Sequence, residues 1–88
     1  MSAGFEMLEM VQKTVKERGK IYGSAKENME ITAKLWSQIL KVDVTAIQVA
    51  LCLNQLKVAR LIQTPEHADS CVDLAGYAFV LRECQASK

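Results

Sequence analysis

The chain has 88 residues, eleven Lys and Arg against ten Asp and Glu, a formal charge of +1, and hydrophobic residues at half of its positions. One domain spanning residues 1–88 is all that this length allows, and such a domain removes only about 60–65% of its unfolded surface from water. The composition is too apolar for a disordered chain, no apolar run approaches the roughly 18–20 residues that cross a bilayer, and near-neutrality gives no global electrostatic case for binding long nucleic acid.

The opening MSAGFEMLEM places acidic residues where a secretory signal needs a basic patch and a long apolar core, which points to a cytoplasmic protein. Phe5, Leu8, Val11 and Val15 recur at spacings of three and four and predict a first amphipathic helix over residues 3–18, stopped at Gly19. Ser24-Ala25-Lys26-Glu27 reads as the capping box S-x-x-E and starts a second helix near residue 25. Met29, Ala33, Trp36, Ile39 and Leu40 form its core stripe, and it ends around residues 40–41. Thr45 to Gln48 repeats the box in its T-x-x-Q form and opens a third helix over 46–62. That segment, AIQVALCLNQLKVARLI, is apolar on nearly every side, which predicts a central helix covered by the others or by another subunit.

Thr64-Pro65-Glu66 suits an N-cap followed by Pro at the first helical position, so a fourth helix is expected from 65, or from Ser70 if the turn is irregular, to about Cys84. Cys71, Leu74, Ala75, Ala78 and Leu81 mark its core stripe. No β-like alternation of useful length occurs, and four helices joined by turns of roughly four to six residues predict an all-α, antiparallel four-helix bundle. Cys52, Cys71 and Cys84 are odd in number and lack C-x-x-C spacing; they read as structural thiols in a reducing compartment, and with a single His they offer no zinc-ligand pattern.

Three groups of polar residues call for chemistry. Lys57 and Arg60 emerge on adjacent turns of the most apolar helix, where a cation borders a pocket or a subunit seam unless it snorkels to solvent. Asp69, Asp73 and Tyr77 follow at i, i+4 and i+8 on the fourth helix, with Gly76 beside Asp73 and with His67 at the entrance, where a lone His is more often a capping or surface residue than a catalytic one. A mid-helix Gly costs about 1 kcal/mol relative to Ala, so Gly76 permits a close approach by a neighbouring helix or a ligand. The alternative for Asp73 is an ion pair with Lys57 or Arg60. The third group is ERGKIYGSAKEN, residues 17–28, in which Arg18, Lys20, Tyr22 and Lys26 surround the free N–H groups that open the second helix. Backbone donors at a positive dipole end bind anions, and an aromatic can stack on a base.

At YGSAKENMEITAKLW, LKVARL and HADSCVDLAGYAFVL the chain resembles a family of small uncharacterised proteins frequent in bacteriophage genomes. The likeness runs from about Arg18 to Leu81 and is carried by Tyr22-Gly23, Glu27-Asn28, Leu35-Trp36, Lys57, Arg60, His67, Asp69, Asp73 and Gly76-Tyr77. VDLAGYAFVL is also similar to the last motif helix of the MazG-type, all-α nucleoside triphosphate pyrophosphohydrolases. That resemblance implies a MazG-like bundle, with Glu27, Glu30 and Asp73 as magnesium ligands. Lys26 and Ser70 stand where the MazG pattern has two further carboxylates, and hydrolysis by that route needs its full ligand set.

Taken with the residues themselves, these likenesses lead to an expectation of a non-catalytic, homo-oligomeric protein without a cofactor, which binds and sequesters a nucleotide-derived, phosphorylated small molecule in the host-cell cytoplasm. Its ligand-binding residues would be Arg18, Tyr22, Lys26, Asn28, Trp36, Lys57, Arg60, His67, Asp69, Asp73 and Tyr77. The alternatives are the Mg-dependent MazG-like pyrophosphohydrolase and a structural or protein-interaction bundle.

Overall fold

The computed structural model describes residues 2–86, which form four helices: α1 (Ala3–Tyr22), α2 (Ala25–Leu40), α3 (Ala46–Gln63) and α4 (Ala68–Ala86). No strand occurs among the described residues. Each start is fixed by a side chain that takes up one of the N–H groups left unpaired at a helix N-terminus. Ser2 Oγ accepts from Phe5 N–H at 3.1 Å and Ser24 Oγ from Glu27 N–H at 3.0 Å. The full reciprocal box forms on α3, where Thr45 Oγ1 accepts from Gln48 N–H at 3.1 Å and Gln48 Oε1 from Thr45 N–H at 2.9 Å. On α2 the box predicted from Ser24 and Glu27 is made in only one direction.

Two boundaries differ from the sequence expectation. α1 runs through Gly19 to Tyr22 and stops at Gly23, whose φ of 80° is the left-handed backbone that ends a helix readily at glycine. A single Gly flanked by Lys and Arg, both good helix formers, does not halt propagation, and the α1–α2 connection shrinks to Gly23 and Ser24. At the other site, Pro65 does not open α4. Residues 65 and 66 form a turn, and α4 begins at Ala68 behind His67. His67 Nδ1 accepts the backbone N–H of Ser70 at 3.3 Å and lies 2.7 Å from Ser70 Oγ. A backbone N–H can only donate, so Nδ1 is the acceptor and His67 is the cap of this helix.

α4, not α3, is the helix at the centre. It packs most extensively on α3 and also against α1 and α2, whereas α3 has no contact with α1 among the described residues. The residues of α4 explain the exchange. Ser70 is small enough to be buried at the start of α4, and the apolar side chains of α4 are spread around its circumference with almost no one-sided bias. α3, the most apolar of the four, sits at an edge.

The interior is small. Val11, Ala33, Val49 and Ala50 are buried, with Ser70 the buried polar residue. Ile39 and Leu40 of the predicted α2 core stripe are exposed, as are Cys71 and Ala78 of the α4 stripe and Phe5 and Leu8 on the apolar stripe of α1. Cys52 is exposed too, and Cys71 Sγ lies 3.5 Å from Met7 Sδ, so two of the three thiols are surface groups. No helix among the described residues is long and apolar enough to cross a membrane.

Candidate functional site

The short α1–α2 turn helps to form a groove on the surface of the molecule. With only Gly23 and Ser24 between them, the C-terminal end of α1 and the first turn of α2 meet, and Asn28 Nδ2 locks the corner by donating to the Tyr22 carbonyl at 3.0 Å. α4 closes the third side. The resulting groove has a volume of about 580 Å³, within the range of small-molecule pockets.

Its rim carries Arg18 and Tyr22 from α1, Lys26 and Asn28 from α2, and Asp73 and Tyr77 from α4. Six of the eleven residues expected to bind ligand are therefore brought together. The floor is apolar, supplied by Val11, Val15, Met29, Val72, Phe79 and Val80. Glycines interrupt both helical walls, at Gly19 on α1 and Gly76 on α4. A Cβ built on either would meet nothing within 4 Å, so no neighbouring helix presses against them. Each costs its helix about 1 kcal/mol, and both face open space in the same groove.

The remaining candidates lie elsewhere, each with a local reason. Trp36 is half-buried on α2. Arg60 is exposed in the last turn of α3 and Asp69 in the first turn of α4, where their charges complement the helix dipoles. His67 is engaged as the α4 cap. Lys57 lies outside the groove, with its Nζ 2.9 Å from Asp73 Oδ2; both side chains are largely withdrawn from solvent, at 14% and 29% exposure. The expected hollow shared by the α3 cations and the α4 carboxylates is thus replaced by an ion pair behind the groove wall. Because Lys57 balances Asp73, Arg18 and Lys26 face only Glu83 as a further formal charge on the lining. Next to Lys57, Asn54 Oδ1 is a buried oxygen without a hydrogen-bond partner.

Among the described residues no three His, Cys, Asp or Glu side chains gather to hold a metal ion. Glu27 and Glu30 are exposed on α2 and neither lines the groove, so they do not join Asp73 in a magnesium site. Burial, followed by the nearby Glu30 carboxylate, pushes the Cys84 thiol above its usual range.

Sequence reasoning missed Glu83 and the apolar lining of the groove, and placed Gly19 in the basic cluster but at the wrong point of the helix. Gly19 was taken for a helix stop, although Lys, Glu and Arg on both sides marked it as a helix interior. Val11 and Val15 were read as the apolar stripe of the first helix; Val11 is indeed buried, and both also line the groove.

A family described as a domain of unknown function (DUF6378) matches residues 6–85. The chain is also similar to the Gene 55 protein of Mycobacterium phage L5, at 43% identity over 70 residues covering 78% of this chain and 45% of the relative. The Gene 55 protein of Mycobacterium phage D29 is 40% identical over 73 residues, covering 82% of this chain and 48% of the relative. The chain thus spans about half the length of the curated relatives it matches. No solved structure matches it.

Proposed function

We propose that this chain, which belongs to the phage-associated DUF6378 family, binds and sequesters a phosphorylated, nucleotide-like small molecule without turning it over. The observation that carries the reading is the α1–α2–α4 groove, where two cations and the open end of a helix face two glycine gaps that serve no internal packing. Helix geometry leaves the N–H groups of Ala25 and Lys26 without intrahelical partners, and both residues line the groove. Phosphate oxygens belong there, with Arg18 and Lys26 adding charge. Tyr22 and Tyr77 flank a base or ribose, and the apolar floor takes its face. Asp73, held by Lys57, accepts a hydrogen bond from the sugar or base. In a phage setting the ligand would be a host signalling nucleotide, met in the host-cell cytoplasm.

Sequestration is favoured over hydrolysis because, among the described residues, Glu27 and Glu30 lie apart from Asp73 and the groove lining, whereas that chemistry needs several carboxylates together to hold magnesium and place a water. Mass spectrometry of small molecules released by denaturing the purified protein tests this directly. Recovery of an intact phosphorylated compound supports the reading. A thermal-shift panel of mono-, di- and cyclic nucleotides gives a second test: a ligand at 100 times its Kd raises stability by about 2.7 kcal/mol. No shift with any nucleotide and no carried compound would defeat the proposal, and pyrophosphate release in the presence of Mg²⁺ would replace it with catalysis.

A further inference from the structure

The groove carries its charges unevenly. Its donors gather at the α1–α2 corner, where Arg18, Lys26 and the open N–H groups of Ala25 and Lys26 stand. The α4 wall carries carboxylates instead. Asp73 and Glu83 line it on either side of Gly76, about 15 Å apart along the helix. Asp73 is balanced by Lys57, 2.9 Å away. Glu83 is exposed and lies near the corner. Burial and then the Glu30 carboxylate push the neighbouring Cys84 thiol up, while Lys26 pulls it down and Glu83 adds to the rise. The field of Lys26 therefore reaches the turn that bears Glu83.

Charge sets how much phosphate such a corner holds. Two cations and a helix N-terminus equivalent to about half a unit charge, offset by the carboxylate of Glu83, leave about one and a half positive charges. A phosphate monoester carries about 1.5 to 2 negative charges near pH 7. Each further phosphoryl group adds negative charge, and along the α4 wall it meets a carboxylate. Among the described residues no three His, Cys, Asp or Glu side chains gather to hold a metal ion that would neutralise it.

We infer that Glu83 restricts the groove to nucleotides with a single phosphoryl group, because it sets a carboxylate beside the cationic corner. The inference deepens the sequestration reading and rests on it. Arg18 and Lys26 hold the first phosphate, and Glu83 repels the next. Selection comes from an unfavourable contact with the wrong ligand as much as from contacts with the right one.

Isothermal titration calorimetry of the full chain in Mg-free buffer tests this, with adenosine and guanosine mono-, di- and triphosphates and their 3′,5′-cyclic monophosphates as ligands. The monophosphates, open or cyclic, should bind most tightly. Each added phosphoryl group should weaken binding by about fivefold, the effect of like unit charges roughly 4 Å apart in water. Glu83→Gln, at an exposed position, should keep its helical circular dichroism and bring di- and triphosphates to within about twofold of the monophosphate. Should that variant not fold, salt gives the same readout on the wild type, whose preference for one phosphoryl group should shrink as salt rises from about 20 mM to about 500 mM. Tighter wild-type binding of triphosphate than of monophosphate, or a ranking that both Glu83→Gln and salt leave unchanged, overturns the inference and leaves the sequestration reading standing. Binding of no nucleotide at all removes both.

Discussion

At the scale of single residues, the groove is defined as much by what is missing as by what is present. Gly76 costs α4 stability and packs against nothing, so Gly76→Ala should raise unfolding stability by about 1 kcal/mol while weakening ligand binding. Chemical denaturation measures the first effect and titration with the co-purified compound the second. A gain in stability with unchanged affinity would show that the open space at Gly76 is not used. Lys57 and Asp73 form a half-buried pair, and truncating one partner strands the other. Lys57→Met should lower stability by about 1–2 kcal/mol, and a double-mutant cycle with Asp73→Asn should recover most of that loss as coupling. Cys84 differs from its fellow thiols: burial and the Glu30 carboxylate keep its proton on. Thiolate is the reactive form, so at pH 7.5 Cys84 should react with a maleimide several-fold more slowly than exposed Cys52 or Cys71, as peptide mapping would show.

At the scale of elements, the caps decide where each helix begins, and they do so unequally. α3 has a reciprocal box, α2 half of one, and α4 relies on an imidazole. Thr45→Ala should cost about 1 kcal/mol, as N-cap losses do. His67→Ala should cost a similar amount by releasing both the Ser70 N–H and the buried Ser70 hydroxyl. His67→Asn, which keeps a side-chain acceptor near the same N–H, should restore most of the loss in thermal melts. These starts were legible because capping is local: Ser24 and Thr45 announce themselves three residues from their partners. Pro65 misled because its preference for a first helical turn is also met by a tight turn. The sequence left His67 as a capping or surface histidine, and the geometry of the 64–67 connection made it the cap. Gly19 misled for the converse reason, since a helix stop requires a backbone conformation as well as a permissive residue, and that conformation occurs at Gly23.

At the scale of the whole molecule, a small interior leaves a large apolar exterior. A dimer that folds and assembles together melts at a temperature that rises with concentration. Association of copies through that exterior predicts a Tm that rises by several degrees over a hundredfold increase in chain concentration, as differential scanning fluorimetry would record. The apolarity of α3 was plain in the sequence, yet its position was not. Periodicity reports how much of a helix is apolar but not which neighbour covers it. Central place went to α4, whose apolar side chains point all round and which packs on the three other helices.

What the sequence determined by itself is local: an all-helical chain, its four helices, the caps at Ser24 and Thr45, and a concentration of cations and aromatics around residues 17–28. Those follow from patterns within a few turns of chain. The meeting of Arg18, Tyr22, Lys26, Asn28, Asp73 and Tyr77 in one groove was settled by tertiary structure, as was the withdrawal of Lys57 into an ion pair and of Arg60, His67 and Asp69 to helix ends. Such distinctions depend on how helices distant in sequence cross, and crossing is set by side-chain volumes summed over several elements.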